Sequence, residues 1–405
     1  MNSTSTTTIC HHCGLLQHIP EMQEGCKALC SQCGYMLFRK SSDTTQRTLA
    51  LAITGIILFT IANAYPFLSI QVEGKIQETT LLTGILWFFN NGMHALSGLV
   101  LLTSIVVPFF QLLTLTYILI PMKFGKVAPY TETLYRILRH LMPWCMMEVF
   151  LLGILVSIIK LGKMATIIPG TAIWAYSALI IVFVATLSGL NPHDIWKRLP
   201  IKKNTPQTPD SELASCHSCS LVSPISNASH ARCPRCNTGL HRRKPNSLQK
   251  TTALLVTAIV LFFPANMLPI TITQVFGASQ SDTIMSGVIY FMLSGSWHIA
   301  LVIFIASIFI PFIKLVILSY LLISVKFRHR WNPKTRTRLY RLTEAVGRWS
   351  MVDVYVVTVL VALVQLDPFA VMSAGPGAIF FAAVVVITML AAESFDARLI
   401  WDNKD

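Results

Sequence analysis

The chain is short of charge. Only 12% of its 405 residues are Asp, Glu, Lys or Arg, and 18 acidic residues stand against 32 basic ones. With 53% hydrophobic residues and a mean hydropathy of +0.60, it lacks the polar surface that an ordinary soluble domain needs. Catalytic signatures are missing as well: there is no Walker loop, no Gly-rich dinucleotide loop, no His-Glu-x-x-His and no Gly-x-Ser-x-Gly in a plausible context. No ATPase or hydrolase is signalled, and the chain is read as a non-enzyme. A cleavable signal peptide is lacking too. Residues 1–8 are polar, cysteines come at once, and the first apolar run is long enough to span, so it reads as a signal anchor.

What is present in quantity is long apolar runs. About 20 apolar residues cross the roughly 30 Å hydrocarbon core as a helix, and eight stretches qualify: 49–70, 95–120, 143–159, 172–190, 251–273, 299–313 with 315–325, 349–366 and 379–392. Basic residues stay on the cytoplasmic side of short loops. With both termini inside, 28 of the 32 basic residues face the cytoplasm, Lys75, Lys160 and Lys163 lie outside, and Lys314 falls within a span. The net charge of +14 therefore lies beside the membrane, where anionic headgroups are its counter-charge and no nucleic acid is needed.

The sequence repeats with a shift of about 205 residues. Asn63 and Pro66 meet Asn266 and Pro269; His94, Pro108 and Gln111 meet His298, Pro311 and Lys314; Trp144 and Glu148 meet Trp349 and Asp353; and each half closes on a tryptophan, Trp196 or Trp401. Four spans per unit is an even number, so the units share one orientation, as parallel repeats do. The expected boundaries are a cytoplasmic ribbon at 1–47, a four-helix module at 48–198, a Pro-rich linker at 199–210, a second ribbon at 211–247 and a second module at 248–405.

Eight of ten cysteines form two sets, Cys10-x2-Cys13-x16-Cys30-x2-Cys33 and Cys216-x2-Cys219-x13-Cys233-x2-Cys236. Two such pairs enclose a tetrahedral metal, and a closed four-sulfur site leaves no position for water, so the expected role is structural zinc. Iron uses the same ligands and spacing does not exclude it; disulfides are disfavoured in a reducing cytoplasm. Gly14, Gly34 and Asn237 each come directly after a pair, where a left-handed residue suits the tight knuckle. His11, His12 and His217 read as exposed spacers, and Cys26 and Cys145 as unpaired.

Ionisable groups inside a span point by default to function. Ser307 and Lys314 share a helix face, as do Ser350 and Asp353, and Thr388 lies at similar depth. Lys314 and Asp353 have depths compatible with pairing, and Pro311 withholds a hydrogen bond from the Ser307 carbonyl. Together these residues form a candidate polar pocket; the bland alternative is an ion pair and hydroxyl glue that only lock helix packing. The first half offers the weaker set Ser104, Gln111 and Glu148, with Cys145 nearby: it keeps the acid but not the cation. His94 and His298 sit at outer mouths of equivalent spans, and Trp87, Phe88 and Phe89 resemble an aromatic belt.

The duplicated cysteine quartets, in register with duplicated four-helix units whose first spans each end in Asn-x-x-Pro, resemble the paraquat-inducible protein A family of Gram-negative inner-membrane proteins over nearly the whole chain. The fold expected is an all-α polytopic membrane protein: eight transmembrane helices as two parallel-repeat modules, each preceded by a small cytoplasmic zinc ribbon. The resemblance implies an inner-membrane subunit that moves phospholipids to or from a periplasmic MCE-domain tunnel partner. Two other readings remain open on the residues: a proton-coupled exporter of small molecules, and a membrane thiol or electron-transfer protein using the Cys-x-x-Cys pairs.

Overall fold

The computed structural model describes residues 6–20, 22–39, 44–72, 75–161, 166–190, 192–200, 212–225, 232–275, 278–295, 297–328, 332–363, 365–366 and 370–402. The linker expected at 199–210 lies, beyond Pro200, outside the described residues, as does Lys163.

The chain opens with two hairpins, β1 (Thr6–Ile9) with β2 (Leu16–Ile19) and β3 (Lys27–Leu29) with β4 (Met36–Arg39). Then come α1 (Thr44–Ala64), β5 (Leu68–Val72), β6 (Lys75–Thr79), α2 (Leu81–Asn90), α3 (His94–Leu101), α4 (Val107–Lys123), α5 (Thr131–Leu141), α6 (Met147–Leu161), β7 (Thr166–Pro169), α7 (Thr171–Gly189) and α8 (Pro192–Lys197). The second half follows a similar order, with one hairpin in place of two, an added strand and no counterpart of α8: β8 (Glu212–Ser215), β9 (Val222–Ile225), α9 (Ser247–Met267), β10 (Thr271–Val275), β11 (Ala278–Asp282), α10 (Ile284–Leu293), α11 (Trp297–Phe304), α12 (Ile310–Lys326), α13 (Pro333–Val346), α14 (Val352–Leu363), β12 (Gln365–Leu366), β13 (Ala370–Ala374) and α15 (Pro376–Ser394) among the described residues.

Among the described residues, eight helical stretches are long and apolar enough to cross a membrane: Thr45–Ala64, His94–Lys123, Thr131–Ile159, Thr171–Gly189, Ser247–Met267, Ala300–Lys326, Pro333–Ala362 and Pro376–Ser394. Hydroxyls on them donate back to the preceding turn, as Thr60 does to the Ile56 carbonyl and Thr186 to the Val182 carbonyl, which satisfies these groups without help from lipid.

The second and sixth spans each contain a π turn, Leu102–Val106 and Ile305–Phe309. Pro108 and Pro311 have no N–H to give the carbonyls of Ser104 and Ser307, so the helix widens and the next bond skips a residue: the N–H groups of Val107 and Ile310 donate to the carbonyls of Leu102 and Ile305.

The structure is mostly helical, but it adds strands to the expected all-α fold. Antiparallel sheets of order β6-β5-β7 and β11-β10-β13-β12 tie together the connections after the first and third spans of each half. Runs 49–70 and 251–273 overshoot their helices, which end at Ala64 and Met267. Pro66 and Pro269 force extended backbone before them, and the apolar residues beyond continue as strands. Two ten-residue apolar helices, α2 and α10, begin at Thr80 and Thr283 capping boxes and are too short to span. Phe88 of the expected aromatic belt is buried on α2, whereas Phe89 is exposed, its ring 4.8 Å from His94.

The halves interlock through α6 and α14. A Cβ on Gly153 would lie 2.8 Å from Tyr355 Cβ, so only glycine permits that approach. Tyr355 is fully buried, its hydroxyl donating to Thr103 Oγ1 of the other half at 2.7 Å. The hairpin segments cross over. Cysteines of the first ribbon pack with Leu318, Tyr340 and Trp401 of the second half, and those of the second pack with Leu115, Tyr135 and Trp196 of the first.

Candidate metal centres and a cavity between the halves

Each cysteine pair sits on a knuckle built by its own backbone. The Cys10 N–H donates to the Leu15 carbonyl and the Gly14 N–H to the Cys10 carbonyl; the same two bonds recur around Cys30, Cys216 and Cys233. The turn places the fourth residue in the left-handed region: Gly14 at φ 77°, Gly34 at 68°, Asn237 at 55°, and also Ser220 at 56°. The first three meet the expectation; Ser220 carries no sequence signal for that conformation.

The sulfurs converge. Cys10 to Cys33 and Cys13 to Cys30 are both 3.5 Å apart; Cys216 to Cys236 is 3.3 Å and Cys219 to Cys233 is 3.4 Å. Within each quartet the ligand atoms all lie within 4.8 Å of one another. A disulfide needs about 2.05 Å, whereas tetrahedral zinc with bonds of about 2.3 Å holds sulfurs about 3.8 Å apart. The quartets therefore fit a metal and are not disulfides. Gln17 Nε2 donates to Cys30 Sγ at 3.0 Å and Arg341 Nη2 to Cys33 Sγ at 3.4 Å, contacts that offset thiolate charge. Cys26 is exposed, Cys145 is half-buried, and neither belongs to a quartet.

Two of the three histidines are not exposed spacers. His11 is half-buried, its ring 5.4 Å from that of exposed His217 across the ribbon–ribbon junction, with Nε2 3.3 Å from Ser220 Oγ. His12 is half-buried against Tyr35 at 4.1 Å. The ribbons cover each other's knuckles, and burial pushes the His11 and His12 imidazoles down to about 3 and about 4.

A cavity of about 450 Å³ lies between the 142–144 turn of the first half and α13, α15, Lys244 and Gly347 of the second. Lys314 lines it, 3% exposed, and its Nζ has no hydrogen-bond partner among the described residues. A Cβ on Gly347 would come within 3.0 Å of that Nζ, so the glycine makes room for the ammonium. At the repeat-equivalent places the first half has Gln111, fully buried, and Met142. Lys244 is fixed at the rim by its N–H to Asp396 Oδ2 at 3.0 Å and by Nζ to the Glu393 carbonyl at 2.5 Å.

The other residues of the expected pocket are drawn close because the 347–351 turn packs against the π turn, α12 and α15, but they do not line the cavity. Ser307 is buried in the π turn, its Oγ without a partner among the described residues. Ser350 donates to the Gly347 carbonyl at 2.8 Å and Thr388 to the Val385 carbonyl at 2.9 Å. Asp353 is half-buried on the first turn of α14, and Lys314 Nζ makes no hydrogen bond to it among the described residues. In the first half Ser104 and Gln111 are buried while Glu148 is exposed. Sequence reasoning missed Arg341, Glu344, Glu393 and Lys244 as cavity residues; the Gly347/Met142 difference beside Lys314/Gln111 was the available signal.

The sequence model described as paraquat-inducible protein A matches residues 45–200 and 248–405. The chain is 34% identical to the intermembrane transport protein PqiA of Escherichia coli (strain K12), over 98% of this chain and 95% of the relative. It is 32% identical to the lipophilic envelope-spanning tunnel protein A of the same organism, over 97% and 90%. A probable intermembrane transport protein of Haemophilus influenzae is 31% identical over 98% and 96%. No solved structure matches the chain at a significant level. With its eight apolar spans and two cysteine quartets, the chain belongs to the paraquat-inducible protein A family.

Proposed function

We propose that this multi-pass protein sits in the inner membrane with both termini in the cytoplasm and passes phospholipids to or from a periplasmic MCE-domain tunnel partner. The observation that carries this reading is the Lys314 ammonium, buried without a partner among the described residues in a 450 Å³ cavity between the halves. A buried unpaired cation is costly unless an anion visits it, and a phosphate headgroup is the anion a bilayer supplies. The printed names of the relatives, intermembrane transport and envelope-spanning tunnel, agree with such a role.

On this reading the chain is two parallel four-helix modules, each with its preceding ribbon, divided at the boundaries expected from sequence. The 28 basic residues on one side support the orientation. Zinc held by Cys10, Cys13, Cys30 and Cys33, and by Cys216, Cys219, Cys233 and Cys236, would fix the ribbons without taking part in chemistry. Ser307, Ser350, Asp353 and Thr388 support the helices around Lys314, and the protein works as a transporter, not an enzyme.

The test is purification from native membranes and then mass spectrometry of bound lipids and co-purifying proteins. We expect phospholipid and an MCE-domain protein from the unaltered chain, and less lipid from Lys314→Ala. Recovery of neither from the unaltered chain would overturn the proposal.

A further inference from the structure

The first ribbon is joined to the first half by the chain but touches the cavity of the second. Arg341 Nη2 donates to the Cys33 carbonyl at 3.2 Å as well as to Cys33 Sγ, and the guanidinium lies 5.1 Å from the centre of the Tyr35 ring. His12, between two ligands of the same quartet, has its ring 6.2 Å from that of Tyr340. Arg341 and Tyr340 are both walls of the Lys314 cavity, and Arg341 Nε is buried with no partner among the described residues. A metal ligand, a guanidinium and an unpartnered ammonium thus form one connected set.

The second ribbon is held by a different arginine contact. Arg139 Nη1 donates to the Ser218 carbonyl at 2.8 Å, on the half that carries Gln111 in place of Lys314.

We propose that the first metal centre positions Arg341 as a second cation beside Lys314, so that occupancy of this centre, and not of the second, sets how tightly the cavity holds a phosphate group. The proposal rests on the headgroup reading above. Four thiolates around a divalent ion carry a charge of about −2, which holds a guanidinium by a charge-assisted hydrogen bond. Without the metal the knuckles lose their fixed shape, and Arg341 loses both its acceptor and its stacking partner. The cavity lining holds Lys244, Lys314 and Arg341 together with Glu344 and Glu393. The cations outnumber the acids, and the acids suit the ammonium of a zwitterionic headgroup.

The experiment uses the full chain in nanodiscs and measures metal content together with affinity for two probes, inorganic phosphate and dihexanoyl phosphatidylethanolamine, with dihexanoylglycerol as the phosphate-free control. Cys10→Ser with Cys13→Ser should remove one metal and weaken phosphate-probe binding about tenfold, the scale of one charge-assisted contact. Cys216→Ser with Cys219→Ser should remove the other metal and leave binding within about twofold of the unaltered chain. Arg341→Ala should match the first variant with both metals retained. Arg341→Lys, which keeps the charge but not the fork onto Cys33, should fall between.

Equal losses from both ribbons, or full affinity in Arg341→Ala, would overturn the proposal. If the first-ribbon variant does not fold, the Arg341 pair at unchanged metal content decides alone. Phosphate bound as tightly as the lipid supports a soluble source with the same coupling; lipid bound far more tightly supports a headgroup. If Lys314→Ala binds both probes like the unaltered chain, the headgroup reading itself fails. If Lys314→Ala loses binding and the Arg341 variants do not, only the coupling fails.

Discussion

At Gly347 one absent Cβ decides what the neighbouring helix can carry. A Cβ added there would already stand 3.0 Å from Lys314 Nζ, and a larger side chain would crowd it further; the first half has both larger Met142 and uncharged Gln111 at the matching places. The two positions therefore act as a pair. Gly347→Met alone should lower stability by about 1–3 kcal/mol through overpacking. Lys314→Gln alone should be neutral or stabilising, because it removes a buried unpaired charge. The double variant should recover most of the stability lost in Gly347→Met while losing lipid. Thermal unfolding in detergent, read beside bound-lipid content, checks this; additive stability changes would show that the sites are independent. The convergence of the two cysteine quartets was legible from spacing alone, because two Cys-x-x-Cys pairs leave few alternatives. The cavity was legible only at Lys314. Arg341, Glu344 and Glu393 lie among many charged residues at the ends of the spans and between them, and nothing in periodicity says which face a buried space.

At the scale of the element, the π turns place Ser104 and Ser307 where a regular helix would not. A turn with one extra residue rotates the helix before it by roughly a quarter to a third of a revolution relative to the helix after it. Pro311→Ala restores an N–H able to reach the Ser307 carbonyl, so the turn should relax to α-helix. Helix content by circular dichroism should hold or rise, while lipid recovered with the protein should fall because Lys314 has turned away from its cavity. Unchanged lipid recovery would mean the π turn is incidental. Hydropathy located the eight spans but not their ends. Residues 65–72 are as apolar as the helix before them, and only Pro66 marks where helix gives way to strand. Helices α5 and α13 escaped notice because their apolar faces are narrow and run straight into the third and seventh spans.

For the whole molecule, the repeat announced two halves but not how they hold each other. In sequence each ribbon precedes the helices of its own half; packing sets its cysteines against the opposite half. No local pattern encodes that choice, since both halves offer a tyrosine and an arginine at the equivalent seat: Tyr135 and Arg136 in one, Tyr340 and Arg341 in the other. Co-expressed fragments 1–200 and 212–405 should therefore co-purify as one complex, held by α6 against α14 and by two ribbons reaching across. Chelation should reduce their co-purification. Fragments that stay together equally well without metal would show the helix seam to be sufficient.

The crossed ribbons also bear on descent. A chain of half this length, built to the same plan, would carry a ribbon with no seat of its own, and a second copy would supply one. The present arrangement is that of an exchanged homodimer joined end to end. In such an arrangement the two copies need not match: one carries Lys314 beside Gly347, the other Gln111 and Met142 at the matching places.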